Sequence, residues 1–343
     1  GNLLAGVIKD IVPRYWTMRG FYVERRFGWD VHGLPIEMEV QKELGLEDPQ
    51  EIDDYGIANF NEACRKQVQT NTENWERITR KIGRWVDFEN DYKTMDPDFM
   101  ESVWWVFKEL WKNKLIYKDY KVLPYSWAAS TPLSNFEANM DYREIEDPSI
   151  FFTLKASVDY KKIKENDEFL VWTTTPWCIP GNLAIAIGNE IIYSRILLNN
   201  TFYWIAKERL EELKDYKYEI IDESLGSDLV GAEYIPAYDE FNEEYSNGAF
   251  RLIHSDDTNT ESGSGLVSQA PAYGESDFYS LKNAGIDAIV DPVTMSGKFD
   301  SSVKGLEDKY VKDADELIIK QLDDRGLLFS KTVETHSYPF CWR

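Results

Sequence analysis

Apolar residues recur with helical spacing from the start of the chain. Leu3, Leu4, Val7, Ile8, Ile11, Val12 and Tyr15 return close to every 3.6 residues, which predicts a helix over 2–18. Pro13 removes one backbone donor and crowds the carbonyl four residues earlier, so a kink is expected there. Gly20 is a C-terminal stop, and a short strand is predicted over 21–25. Pro35, in a first turn, opens a helix over 36–44. Helical patterning resumes over 51–83 and 97–115. The second of these starts at Asp96-Pro97 and carries Phe99, Val103, Val106, Phe107 and Leu110 on one face. Trp104, Trp105 and Trp111 read as core or inter-helix packing.

From about Ile150 the texture changes to short β-rich runs over 150–155, 168–174, 183–187, 192–197, 202–205 and 251–253, parted by Asn, Gly and Asp turns. The expected organisation is α/β. An α-rich part over 1–147 is followed by a mostly β domain inserted over 148–334, and 335–343 leave it again.

With 343 residues, 43% of them hydrophobic and 14% aromatic, the chain can bury more than one core. A net charge of −23 argues against nucleic-acid binding over the whole surface, while leaving room for a local basic groove. Such a charge also keeps a protein soluble. Cys64, Cys178 and Cys341 are far apart and odd in number, so no disulfide framework is expected and a reducing, cytoplasmic setting is. No apolar run approaches the roughly 20 residues of a membrane span. The chain has no initiator Met and ends within an expected strand and turn, and reads as a piece of a longer polypeptide.

Three segments carry candidate chemistry. In 171–182, Thr173, Thr174 and Thr175 close a β-branched run stopped by Pro176, with Trp177 behind it. This is either a strand end with a turn, or a set of hydroxyl donors and acceptors at an open sheet end. The second, Gly28-Trp29-Asp30-Val31-His32-Gly33, lies between an expected strand and a helix, where open α/β sheets bind small ligands. Its glycines allow close backbone approach and Asp30 can hold an ammonium group. His32 is either a site residue or a histidine with its hydrogen bonds satisfied internally. The third spans 262–277. Gly263 and Gly265 have no following lysine, as a phosphate loop would, and fit a small-residue strand and loop that a large substrate could approach. Asp277 ends the segment as a free carboxylate, as a helix N-cap, or as both. No zinc pattern is complete, no Ser-His-Asp or Cys-His set is legible, and Met295-Ser296-Gly297-Lys298 reads as a turn.

Together these segments resemble the isoleucyl-tRNA synthetases, which are class I aminoacyl-tRNA synthetases. The motif Gly-Trp-Asp-Val-His-Gly-Leu-Pro-Ile-Glu at 28–37 matches the family on its isoleucine side. The likeness continues at 83–88, 92–96, 99–102, 121–126 and 132–137. It runs on through Trp-Thr-Thr-Thr-Pro-Trp at 172–177, the glycine-rich segment ending at Asp277, and His-Ser-Tyr-Pro-Phe-Cys-Trp-Arg at 336–343.

The resemblance implies the front part of a Rossmann-like catalytic domain with an inserted editing domain. The intact enzyme would use ATP, with Mg2+, to activate isoleucine and load it on tRNA-Ile, and would hydrolyse mischarged valyl-tRNA-Ile. Asp30, with Gly28, Trp29 and His32 around it, would hold the amino acid. Gly1 and Asn2 would be the end of the ATP-binding His-x-Gly-His motif, with Asn2 replacing its second His. The Lys-Met-Ser-Lys-Ser loop is not in the chain, so the fragment is expected to make no aminoacyl-adenylate. In the editing part, Asp277 would anchor the substrate's α-ammonium. Thr173, Thr174 and Thr175 would shape the pocket and orient a water, with Trp177 and Tyr273 as the excluding wall. Ser268 stands where the family usually has His, a change that relaxes editing or moves exclusion to another residue. The family's zinc-binding cysteines are absent near Ser126 and Ala129. An alternative is a tRNA-binding or regulatory module that kept the fold and lost the chemistry.

Overall fold

A computed structural model describes residues 2–46, 49–70 and 72–341. The chain divides into two units, residues 1–119 and 120–343.

The first unit is helical around one small sheet. Its order is α1 (Asn2–Met18), β1 (Arg26–Trp29), α2 (Leu34–Leu44), α3 (Pro49–Tyr55), α4 (Ile57–Gln69), α5 (Thr72–Lys81), β2 (Asp87–Lys93) and α6 (Pro97–Lys112). Pro13 sits inside α1 without ending it. Pro35 is in the first turn of α2, as expected, and Gly45 ends that helix with φ 70°. The strand expected over 21–25 lies instead at Arg26–Trp29. Parallel pairing with β2 (Arg26 with Asp87, Gly28 with Tyr92, Trp29 with Lys93) selects the segment, overriding the local β propensity of Phe21-Tyr22-Val23. The tryptophans of α6 are a further correction. Trp104, Trp105 and Trp111 are 72%, 62% and 59% exposed, and no described residue of that helix is buried. Among the described residues, the buried apolar side chains of this unit are Val31, Val40 and Phe60.

The second unit contains β3 (Tyr125–Ser126), β4 (Thr131–Pro132), α7 (Asn135–Ala138), β5 (Tyr142–Lys155), β6 (Glu168–Thr173), β7 (Ala184–Ile187), β8 (Ile192–Leu198), β9 (Thr201–Ala206) and β10 (Glu219–Leu225). It continues with α8 (Gly226–Leu229), β11 (Arg251–His254), β12 (Val267–Gln269), α9 (Glu275–Asn283), α10 (Val311–Asp324) and β13 (Leu328–Pro339). Residues 120–147 belong to this unit together with the β-rich segment. Nine strands form one mixed sheet in the order β10-β8-β9-β6-β12-β7-β11, with β5 pairing both β6 and β13.

Strand alternation divides the apolar side chains between the two faces. Ile150, Phe152, Leu154, Phe169 and Val171 join the main core with Leu281 of α9 and Ala314, Ile318 and Leu322 of α10. Phe151, Leu170, Ile196, Ile205 and Leu213 form a smaller cluster. One buried ion pair sits in the sheet. Arg195 donates to Asp167 from Nε at 2.8 Å and from Nη2 at 2.6 Å, and Trp204 Nε1 adds a third bond at 3.0 Å. With Asp167 only 2% exposed, these three bonds and a fourth from Lys164 N at 2.9 Å offset the cost of its charge.

Candidate functional site

Strands β6 and β12 run parallel, with Val267 beside Trp172, and Trp172 N donates to the Leu266 carbonyl at 3.1 Å. Parallel neighbours end at the same edge of a sheet. Thr173 at the end of β6, Thr174 and Thr175 just after it, and the loop that follows β12 therefore emerge side by side.

The threonine segment is held by its own hydroxyls. Thr173 Oγ1 accepts from Thr175 N at 3.1 Å and lies 3.3 Å from Thr175 Oγ1. All three threonines are half-buried. A 3-10 turn, Pro176–Gly181, follows, and Trp177 N donates to Asp315 Oδ1 of α10 at 2.8 Å. The Trp177 ring packs on Tyr273 with centroids 4.8 Å apart, and the Tyr273 hydroxyl donates to Asp291 at 3.1 Å.

Asp277 is in the first turn of α9, which starts at Glu275, two residues before the N-cap position expected of this aspartate. Its Oδ2 accepts from Ala270 N, just beyond β12, at 2.8 Å. Burial pushes its carboxyl up to about 6, against the pull of the backbone donors Ala270 N and its own N, and Asp257 adds a further push. Asp315 is pushed up to about 7, again chiefly by burial, although Trp177 N and Lys312 favour its charged form. Cys178 feels both carboxyls and one of the threonines. Burial drives its thiol upward, a Thr175 hydrogen bond opposes that, and the charges of Asp277 and Asp315 reinforce it. Cys178 thus connects the threonine peptide and Asp277 electrostatically. The thiol remains protonated, so it is a poor nucleophile here.

Ser268 is fixed nearby, where its Oγ accepts from Asn182 Nδ2 at 2.9 Å. Gly263 and Gly265 have positive φ values of 67° and 76°. A Cβ would stand 2.6 Å from the Trp172 ring at Gly263, and 2.5 Å from Ala206 Cβ at Gly265. What approaches these glycines is the protein's own sheet.

The other candidate residues lie in the first unit. Gly28 and Trp29 are in β1, and Trp29 Nε1 donates to Asp91 at 2.7 Å. Asp30 is exposed. His32 Nδ1 is 3.1 Å from Thr94 Oγ1, the hydroxyl that also accepts from Val31 N. Gly1 lies outside the described residues, and Asn2 is the first residue of α1. Sequence reasoning missed Asp315 altogether.

The family model for class I tRNA synthetases (I, L, M and V) matches residues 1–221. An isoleucine–tRNA ligase of Bdellovibrio bacteriovorus is 46% identical over 349 residues, covering 100% of this chain and 32% of that protein. The cytoplasmic isoleucine–tRNA ligase of Mus musculus is 44% identical over 351 residues, covering 100% and 27%. The chain thus spans about a third or less of the length of these curated relatives. A crystal structure titled GlLeuRS-CP1 is similar over 54% of this chain and 99% of that one, at 11% identity and a TM-score of 0.42, too loose a likeness to bear on function. The family model covers well over half of the chain, and the chain belongs to the class I tRNA synthetases (I, L, M and V).

Proposed function

We propose that this chain is part of an isoleucine–tRNA ligase and carries a pocket that hydrolyses valyl-tRNA-Ile. The intact protein would use ATP to activate isoleucine and load it on tRNA-Ile, with Asp30 holding the amino acid's ammonium. A methylene is worth only about 1–3 kcal/mol in a pocket, an established magnitude for isoleucine against valine in this family. A second, hydrolytic site makes up the missing discrimination. The proposed division is a catalytic part over 1–147, an editing part over 148–334 and a return over 335–343.

In the pocket, ionised Asp277 pairs with the α-ammonium of the valyl group. This puts the ester carbonyl beside the threonine tip, where the hydroxyls of Thr173, Thr174 and Thr175 orient a water. Water attacks the ester carbon, the carbon–oxygen bond to the terminal ribose breaks, and the ribose oxygen leaves with a proton to give valine and free tRNA. Trp177 and Tyr273 form the wall that isoleucine meets. Ser268, committed to Asn182, leaves exclusion to that wall. The observation that carries this reading is the common edge at which β6 and β12 end.

Incubating the chain with valyl-tRNA-Ile tests it. Valine release is expected, with a loss of about 100-fold or more in Asp277→Ala. Binding of the tRNA without valine release would instead support a module that has lost its chemistry, the reading favoured by Ser268 in place of the family's His.

A further inference from the structure

Helix α10 carries two anchors one turn apart. Lys312 Nζ is 2.8 Å from both carboxylate oxygens of Asp147 on β5, and Asp147 also receives His336 Nε2 of β13 at 2.9 Å. This ties the start of the helix to the β5–β13 ribbon. Three residues on, Asp315, only 4% exposed, accepts from Trp177 N at 2.8 Å. That backbone N–H begins the 3-10 turn after the threonines, where an N-terminal donor has no partner within the turn. The ring of the same residue packs on Tyr273, with centroids 4.8 Å apart.

We infer that Asp315 is a positioning residue for proofreading: its carboxylate oxygen fixes the turn that carries Trp177, and so sets the wall that admits a valyl group and rejects an isoleucyl one. The inference rests on the hydrolytic reading above. Asp315 acts through the turn and need not touch the substrate. Its buried carboxyl, with Lys312, Asp147, Glu316 and Cys178 as charged or titratable neighbours, is hard to explain as packing alone, because an apolar residue would fill the same space without the cost of desolvation.

The test uses the intact protein and two substrates, valyl-tRNA-Ile and isoleucyl-tRNA-Ile, with single-turnover hydrolysis of each. Asp315→Ala is expected to slow valyl hydrolysis by about tenfold, the scale of one lost charge-assisted hydrogen bond, and to lower the valyl-to-isoleucyl ratio. Asp315→Asn keeps an acceptor at the same position and is expected to restore both to within about threefold. An unchanged ratio in Asp315→Ala, or Asp315→Asn as impaired as the alanine variant, overturns the inference while leaving the hydrolytic reading intact. Absence of valyl hydrolysis in the unsubstituted protein overturns both. Should Asp315→Ala fail to fold, Asp315→Glu, which displaces the acceptor by one methylene, carries the test, and an unchanged ratio there overturns the inference equally.

Discussion

Asp277 and Asp315 are carboxyls that burial makes reluctant to ionise, held up to about 6 and about 7 respectively. In an unfolded chain an aspartate titrates near about 3.9. Between about pH 4 and pH 7 the folded chain therefore keeps protons that the unfolded chain has released. Stability from these two groups is full below the lower bound and is lost as pH rises through the folded values. Asp315→Asn removes one of them. The variant is expected to lose less stability than the unsubstituted chain between about pH 4.5 and pH 8, read from urea midpoints across that range. Parallel curves for the two proteins would contradict this. Residue chemistry was partly legible in the sequence. The threonines and Asp277 stand out because hydroxyls before a proline, and a carboxylate after a glycine-rich run, are unusual there. Asp315 was hidden, because it is one acidic residue in the acidic run Asp313-Ala314-Asp315-Glu316 and its partner is a backbone N–H that no side-chain pattern marks. Gly263 and Gly265 were visible as glycines, but the ring of Trp172 and the methyl of Ala206 that require them are distant in sequence.

Elements were read best where burial enforces a period. The runs expected at 150–155, 168–174, 183–187, 192–197 and 202–205 correspond to β5 through β9 to within a few residues, apart from β5, which starts earlier. Strand β10 was not recognised, since its sequence Glu-Ile-Ile-Asp-Glu-Ser-Leu lies at a sheet edge with both faces partly wet and so lacks a clean alternation. The helix expected over 51–83 is interrupted after Tyr55, because Gly56 takes φ 96°. Element-scale stability depends on the Asp167–Arg195–Trp204 cluster that joins β8 and β9 to the start of β6. Asp167→Ala leaves Arg195, whose side chain is only 13% exposed, without its carboxylate and is expected to cost about 3–5 kcal/mol, measured as a shift in the denaturant midpoint. A loss under about 1 kcal/mol would mean that Arg195 reaches water in the variant.

At the scale of the whole molecule the two units differ in how much they bury. The second holds nearly all the buried apolar side chains, whereas the first leaves α1 and α6 with large exposed apolar residues such as Leu4, Met18 and Trp104. Opening free energies follow buried contact. Backbone amides of β6 and β7 are accordingly expected to exchange hydrogen most slowly and those of α6 among the fastest, as read by mass spectrometry on the 343-residue chain. Protection of α6 equal to that of β7 would refute the contrast. That exposure was not legible from periodicity, which reports a helix's apolar face without saying what covers it. No helix among the described residues is long and apolar enough to cross a membrane.

The bond from Ala270 N to Asp277 Oδ2 has a consequence for recognition. A carboxylate tethered through one oxygen cannot swing to follow a misplaced cation, so on the hydrolytic reading proposed above a ligand would have to bring its amine to a fixed point. An ester of a hydroxy acid, or of an amino acid with the amine moved one carbon along, would enter with nothing to grip and would leave uncut. The pocket would therefore gauge where the nitrogen sits as well as how bulky the side chain is.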